Sequence, residues 1–418
     1  MSKYTRRSFL RSAMYGAAAI TITPIRGLPS AMASTGAGNN GKFLVLVNLL
    51  GGNDGLNTVI PTHLTPYTER RPTLAITEGI HDLTGGWGLH PNLQNCKSLW
   101  DDGQLHVVQK VGYPNENLSH FTSQNIYSYG VRDYGANGDG RGWLGRFADT
   151  YCTDPVEPLG VVSVGAGRRL DFESNEGEAL VLDNVPNFNF DVDTDFRTDH
   201  DLRKRTARAI LDEEAAPGEG SGLTIFNTSK QAHELVDRVQ AGVVGWTDPN
   251  TYFDNTLGRR MKEVSRLLHA RDQFGTKVFY TGFGGFDTHS NQLGRHGDLM
   301  TQLDQNLGAF TADMKARGLW DDCVIVVISE FGRRNFENGS AGTDHGHGNA
   351  FLVAGGGVDG GKITGDLNEA DLNVNQPDFG YDFRELYADV VDNHLGLASS
   401  PIFPEAFQNT GDIRLLRP

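Results

Sequence analysis

Cysteine is scarce in this chain, which carries three in 418 residues: Cys96, Cys152 and Cys323. An odd number at wide spacing builds no disulfide framework, and none stands in a zinc-like Cys-x-x-Cys pair. Cys323 falls in an apolar run and reads as a buried structural thiol. Long hydrophobic runs are missing too; no stretch approaches the ~20 apolar residues that a membrane span requires. Positive charge is in deficit. Lys and Arg number 37 against 52 Asp and Glu, a formal net charge of -15. That balance argues against nucleic acid or an anionic membrane as a partner. It does not exclude an anionic substrate, because a bound cation reverses the local field. No internal repeat is visible.

What is present begins with an export address. Thr5-Arg6-Arg7-Ser8-Phe9-Leu10 is a twin-arginine pattern, residues 13–23 are short and mildly apolar, and Ala31-Met32-Ala33 offers a small-residue cleavage site. These features predict a signal peptide over residues 1–33 and a mature protein from about Ser34, periplasmic or extracellular. The twin-arginine pathway carries folded proteins, often with a cofactor already loaded. Residues 34–418 read as a single domain, with 38% hydrophobic residues in the chain supplying a large core.

Three times an apolar, β-branched run stops at an acidic residue in a Gly-rich turn. Residues 43–50 lead into Gly51-Gly52-Asn53-Asp54-Gly55, and residues 277–283 into Gly284-Gly285-Phe286-Asp287-Thr288-His289. Residues 323–329 lead into Glu330-Phe331-Gly332-Arg333. A fourth polar segment, Asp344-His345-Gly346-His347-Gly348, precedes a strand-like run at 350–354. Further strands are expected at 105–113 and, from weaker patterns, at 159–164, 179–182 and 223–226. Apolar residues three and four apart predict helices over 229–243, 257–272, 299–317 and 383–395. Another helix opens near Asn117 or Ser119 and runs to Tyr129. Alternating strands and helices define an α/β fold with a mainly parallel sheet. Residues 135–222, irregular and rich in Asp, Asn, Gly and Arg, read as an inserted cap or long loops over the site.

In open α/β sheets ligands bind beyond the carboxyl ends of the strands. Carboxylates and imidazoles gathered there describe a metal site. Asp287 and His289 share one side of an extended segment and can serve one cation; alternatively Asp287 caps the next helix while His289 packs. Glu330 ends a buried strand and needs a partner, which is a metal or else Arg333 or Arg334. Three other segments also present ligands, which favours the metal. Asp54 is a ligand or part of an ordinary left-handed turn. His345 and His347 lie among glycines, and Asp344 could instead orient an imidazole from behind. Ser119, at a helix N-terminus, is a nucleophile candidate or a plain cap, and His120 beside it is a possible ligand.

The ordered set Gly-Gly-Asn-Asp-Gly, Ser-His-Phe, Gly-Trp-Leu-Gly-Arg, Asp-Thr-His, Ser-Glu-Phe-Gly-Arg and Asp-His-Gly, with Gly356-Gly357-Val358 and Gly361-Lys362-Ile363, resembles the exported family catalogued as domain of unknown function 1501. That family is similar to the alkaline phosphatase and sulfatase superfamily. The resemblance implies a doubly wound α/β fold with helices on both faces and one or two divalent ions beside a hydroxyl nucleophile. It implies Asp54, Asp287, His289, Glu330 and His345 as ligands, with Ser119 as nucleophile. Asp344 and His347 then fall to supporting roles. Phe331 stands where alkaline phosphatases have a ligand histidine, which weakens a second metal site. The formylglycine signature of sulfatases is absent, since Cys152-Thr153-Asp154-Pro155 does not match it. Oxygen and nitrogen donors without thiolate leave zinc, manganese, magnesium and calcium open. The expected function is hydrolysis of a phosphate or sulfate ester, small or polymer-borne, with Arg333 neutralising its charge. The alternative is a non-catalytic envelope protein that keeps a structural metal.

Overall fold

The computed structural model describes residues 40–132, 139–153, 157–167, 169–188, 209, 221–407 and 409–417, with the backbone alone at 221–225. The twin-arginine segment and its cleavage site lie outside the described residues.

The architecture follows from the first strand, Phe43–Leu50 (β1), which is apolar on both faces. Phe43, Val45, Val47 and Leu49 enter one hydrophobic core, while Leu44 and Leu46 enter another. Successive side chains of a strand point to opposite faces, so a run this continuous has to be covered on both sides. Leu105–Gly112 (β2), Val161–Val164 (β3), Leu180–Leu182 (β4), Val278–Gly284 (β5), Cys323–Ile328 (β6), Asn349–Gly355 (β7), Lys362–Thr364 (β8) and Tyr381–Asp382 (β9) join β1 in one sheet. The order is β8-β2-β7-β6-β1-β5-β3-β4, with β9 also on β2.

Helices cover both faces. Gln94–Asp101 (α1), Ser221–Gly242 (α4), Thr256–Leu268 (α5) and Gln292–Ala316 (α6) supply Leu99, Val236, Met261 and Leu303 to the first core. His120–Tyr129 (α2), Trp143–Tyr151 (α3) and Phe383–Asp389 (α7) supply Ile126, Phe147 and Leu386 to the second. A small sheet of Val59–Pro61, Trp87–Leu89 and His81–Asp82 lies apart. The expected doubly wound, mainly parallel fold is therefore observed. Among the described residues no helix is long and apolar enough to cross a membrane.

Two details of the sheet create the site. Leu50 pairs with Gly284, and Asn48 pairs with both Gly282 and Ile328, so β1, β5 and β6 end level with one another. In contrast to its neighbours, β7 is antiparallel to both β6 and β2. The residues that enter β7 therefore lie at the same end of the sheet as those that leave β1, β5 and β6.

Some elements depart from expectation. Residues 223–226 are helical, within α4, and not a strand; a short apolar run does not by itself distinguish the two states. Helix α6 starts at Gln292, seven residues before the first expected position, because its opening turns are polar. The last helix ends at Asp389 and passes into a π-helical turn, Val390–His394. Over its described residues the stretch 135–222 contributes α3 and the edge strands β3 and β4 of the sheet; parts of it lie outside the described residues.

Candidate metal centre

Asp287 follows β5 in a turn locked to the one after β1, where the Phe286 N–H donates to the Leu50 carbonyl at 3.2 Å. Gly51 adopts φ +121°, and a Cβ there would run into the backbone of Asp287. The two turns can nest only because that residue is glycine. Glu330 is the second residue of the loop after β6. Further along, the Gly332 N–H donates to the His347 carbonyl (2.9 Å), the Gly346 N–H to the Gly332 carbonyl (2.9 Å) and the Arg334 N–H to the Asp344 carbonyl (3.0 Å). This short ribbon prolongs the β6–β7 pairing and brings His345 back over the sheet end. His120 opens α2.

Three imidazoles converge on one carboxylate oxygen. Asp287 Oδ1 lies 3.0 Å from His289 Nε2, 3.2 Å from His345 Nε2 and 3.5 Å from His120 Nε2. The Nε2 atoms of His289 and His345 are 3.0 Å apart. Donor atoms of His120, Asp287 and His345 all lie within 4.8 Å of one another. Each ring is also held from behind. His345 Nδ1–H donates to the Leu118 carbonyl at 2.7 Å. His120 Nδ1 is 2.8 Å from Glu330 Oε1, and His289 Nδ1 is 3.3 Å from Asp344 Oδ1.

A carbonyl or carboxylate accepts only, so these contacts place the ring proton on Nδ1 and leave a lone pair on each Nε2. Three such lone pairs then face an anionic oxygen, and two of them face each other. That arrangement is repulsive unless protons or a cation sit among them. Imidazoles gripped through the far nitrogen by a carboxylate or carbonyl are the usual support of metal ligands. The donor set therefore fits a cation.

Ionisation agrees. Burial pulls the Asp287 carboxyl upward, but Arg333, with His345 and His289, brings it down to about 2. Burial likewise opposes ionisation of Glu330, and the bonds from His120, Gln124 and the Gly51 N–H outweigh it. The Glu330 bond raises His120 against its burial. Burial lowers His345, which favours the neutral ring.

The structure brings together Asp287, His289, His345 and His120. Asp344 stands behind His289 as a support. Several of the other expected site residues are held by protein partners. Glu330, expected as a ligand, reaches the cluster through His120, whose Nδ1 faces Glu330 Oε1 while its Nε2 faces Asp287. Asp54 is buried in an ion pair with Arg71 (2.7 Å), and its Oδ2 also accepts from Gln292 at 2.5 Å, while its Oδ1 is buried without a hydrogen-bond partner. Arg333 has a side chain that is 0% exposed. It donates to the carbonyls of Gly52, Gly51, Thr343 and Phe286 and to Asp287, so it fastens the turns. His347, placed in a supporting role, is buried with its Nε2 2.9 Å from the Tyr113 carbonyl. Ser119 is the N-cap residue of α2, and its side chain makes no capping bond. Phe331 fills the space between rings, with centroids 4.9 Å from His120 and 4.6 Å from His345.

Gln124, which donates to Glu330 at 3.0 Å, was missed, as were Arg71 and Gln292. Helical spacing puts Gln124 on the same face as His120, four residues on, so that signal was available. Nothing in the sequence marks Arg71 or Gln292 as partners of Asp54.

Fold and site define an α/β protein with a doubly wound sheet and an imidazole–carboxylate constellation at the strands' carboxyl ends. Its sequence matches the family described as "Protein of unknown function (DUF1501)" over residues 41–405, and the chain belongs to that family. No curated protein matches it. Among solved structures it is similar to the lipoteichoic acid synthase LtaP from Listeria monocytogenes, at 10% identity over 93% of this chain and 78% of that one, TM-score 0.36. A protein in the alkaline phosphatase superfamily from Vibrio parahaemolyticus gives 9% identity over 100% and 82%, TM-score 0.36. The PsFucS1 sulfatase from Pseudoalteromonas sp. gives 10% over 88% and 70%, TM-score 0.34. At TM-scores this low none of these likenesses assigns a role to a residue of this chain.

Proposed function

We propose that the protein is a metal-dependent hydrolase of phosphate or sulfate esters that works outside the cytoplasm. One observation carries this: three Nε2 atoms converge on Asp287 Oδ1, each ring fixed from behind. His120, Asp287, His289 and His345 would hold a single ion, and Phe331 occupies the place of a further imidazole. Three imidazoles and one carboxylate suit zinc better than magnesium or calcium. When bound, the ion would polarise the ester oxygen and lower the pKa of an attacking hydroxyl or water. Glu330, Asp344 and the Leu118 carbonyl keep the rings aimed, and Arg333 keeps Asp287 ionised. Ser119 supplies a hydroxyl that no cap bond consumes, immediately before His120. The twin-arginine pattern at residues 5–10 supports the location.

A second interpretation has its own support. Four protein donors already satisfy a tetrahedral zinc, as closed structural sites do, which would suit a non-catalytic envelope protein. Elemental analysis of the purified chain, followed by a panel of phosphate and sulfate esters, separates the two. Bound metal with hydrolysis that disappears in His345→Ala supports the enzyme. Bound metal with no hydrolysis on any ester supports the binding protein, and a chain that holds no metal sinks both.

A further inference from the structure

The two adjacent arginines after Glu330 have opposite surroundings. Arg333 is sealed and fully bonded, whereas the Arg334 side chain is 37% exposed. The nearest Arg334 ion-pair contact is Nη1 to Asp344 Oδ2 at 3.7 Å, longer than a hydrogen bond, and its Nε–H has no partner. Its backbone is nevertheless fixed. The N–H donates to the Asp344 carbonyl at 3.0 Å, and the Arg334 carbonyl accepts from Arg71 Nη2 at 2.7 Å. The guanidinium also lies over the Phe336 ring, 5.7 Å from its centroid. Asp344 Oδ1 in turn contacts His289, so the guanidinium stands at the rim of the imidazole cluster. A planar, permanently charged fork with donors to spare is suited to a phosphate or sulfate group, which it can grip with two parallel bonds.

We infer that Arg334 binds an anionic group of the substrate at the edge of the Asp287 cluster, the role that the sequence suggested for Arg333. This rests on the proposed anionic ester substrate. Because Arg334 has a fixed backbone and an uncommitted side chain, replacing it leaves the fold and the four metal donors in place.

The test uses the full chain loaded with zinc, titrated calorimetrically with inorganic phosphate and with inorganic sulfate, with zinc content measured for each variant. Arg334→Ala is expected to keep its zinc and lose about tenfold or more in affinity for the anion the wild type binds. Arg334→Lys keeps the charge but not the fork and should fall between. Full zinc with wild-type anion affinity in Arg334→Ala overturns the assignment and leaves the proposed hydrolase standing. A wild-type chain that holds zinc but takes up neither anion overturns both. Loss of zinc in Arg334→Ala and Arg334→Lys alike shows a structural role and overturns the assignment alone.

Discussion

Two neighbouring parallel strands, β1 and β5, end in nearly the same words, Gly51-Gly52-Asn53-Asp54 and Gly284-Gly285-Phe286-Asp287. Their carboxylates meet opposite fates. Asp54 is turned inward, 0% exposed and paired with a buried arginine; Asp287 is 48% exposed and ringed by imidazoles. A shared turn motif thus fixes where the backbone bends, while the partner that later chain segments bring decides the chemistry. Arg71 holds one carboxylate in a buried ion pair. His120, His289 and His345 make the other a candidate ligand.

The sharpest way to break this contrast is to remove each carboxylate. Asp54→Ala leaves the buried Arg71 charge uncompensated and should cost about 3–5 kcal/mol in urea unfolding of the metal-free chain. Asp287→Ala should cost far less, since that carboxylate is half exposed and Arg333 keeps four carbonyl partners, yet it should abolish zinc uptake in equilibrium dialysis. Equal stability losses in the two variants would dissolve the distinction.

Acid titration sharpens it. Burial raises the Asp54 carboxyl, but Arg71 and His296 outweigh it and hold the group below its ordinary value. A carboxyl depressed on folding contributes stability that is present above its unfolded pKa and lost as pH falls through the folded one. Unfolding free energy should therefore decline as pH drops below about 4, and Asp54→Asn should flatten that limb. An unchanged slope in the variant would remove Asp54 from the account.

Smaller effects are expected from the supports. Glu330→Gln weakens the grip on His120 and should lower zinc affinity about 10–100-fold, with the folded state retained; wild-type affinity would mean that the ring needs no orienting partner. Smallest is Ser119→Ala, which removes a hydroxyl that caps nothing and should shift stability by less than about 0.5 kcal/mol. Its effect on turnover, measured beside that number, tells a nucleophile from a bystander.

Much of the sheet was legible because β1, β5 and β6 are long apolar runs that stop at polar turns, which periodicity reports directly. Asp287 and His289 were legible for the same reason, as polar groups placed just past a strand end, and His345 as an imidazole in the polar segment ahead of β7. His120 was visible only as a possibility, because a residue at a helix start can face several ways. The burial of Arg333 and the pairing of Asp54 were not legible. Each depends on segments distant in sequence, Gly51 to Phe286 in one case and Arg71 with Gln292 in the other, and no local pattern records which arginine faces inward. Neighbours such as Arg333 and Arg334 look alike in the chain and differ only once the ribbon 332–334 against 344–347 has formed.

The reversed direction of β7 has a consequence for how the chain could be divided. Since β6 and β7 are adjacent and antiparallel, the loop between them is a hairpin whose exposed tip lies at Gly339 and Ser340. A cut there leaves every ladder of the sheet available to form. One fragment would carry His120, Asp287 and His289, and the other would bring His345 just ahead of a strand that slots between β2 and β6. Neither piece holds the full proposed donor set, so metal uptake would report that the two halves had found each other.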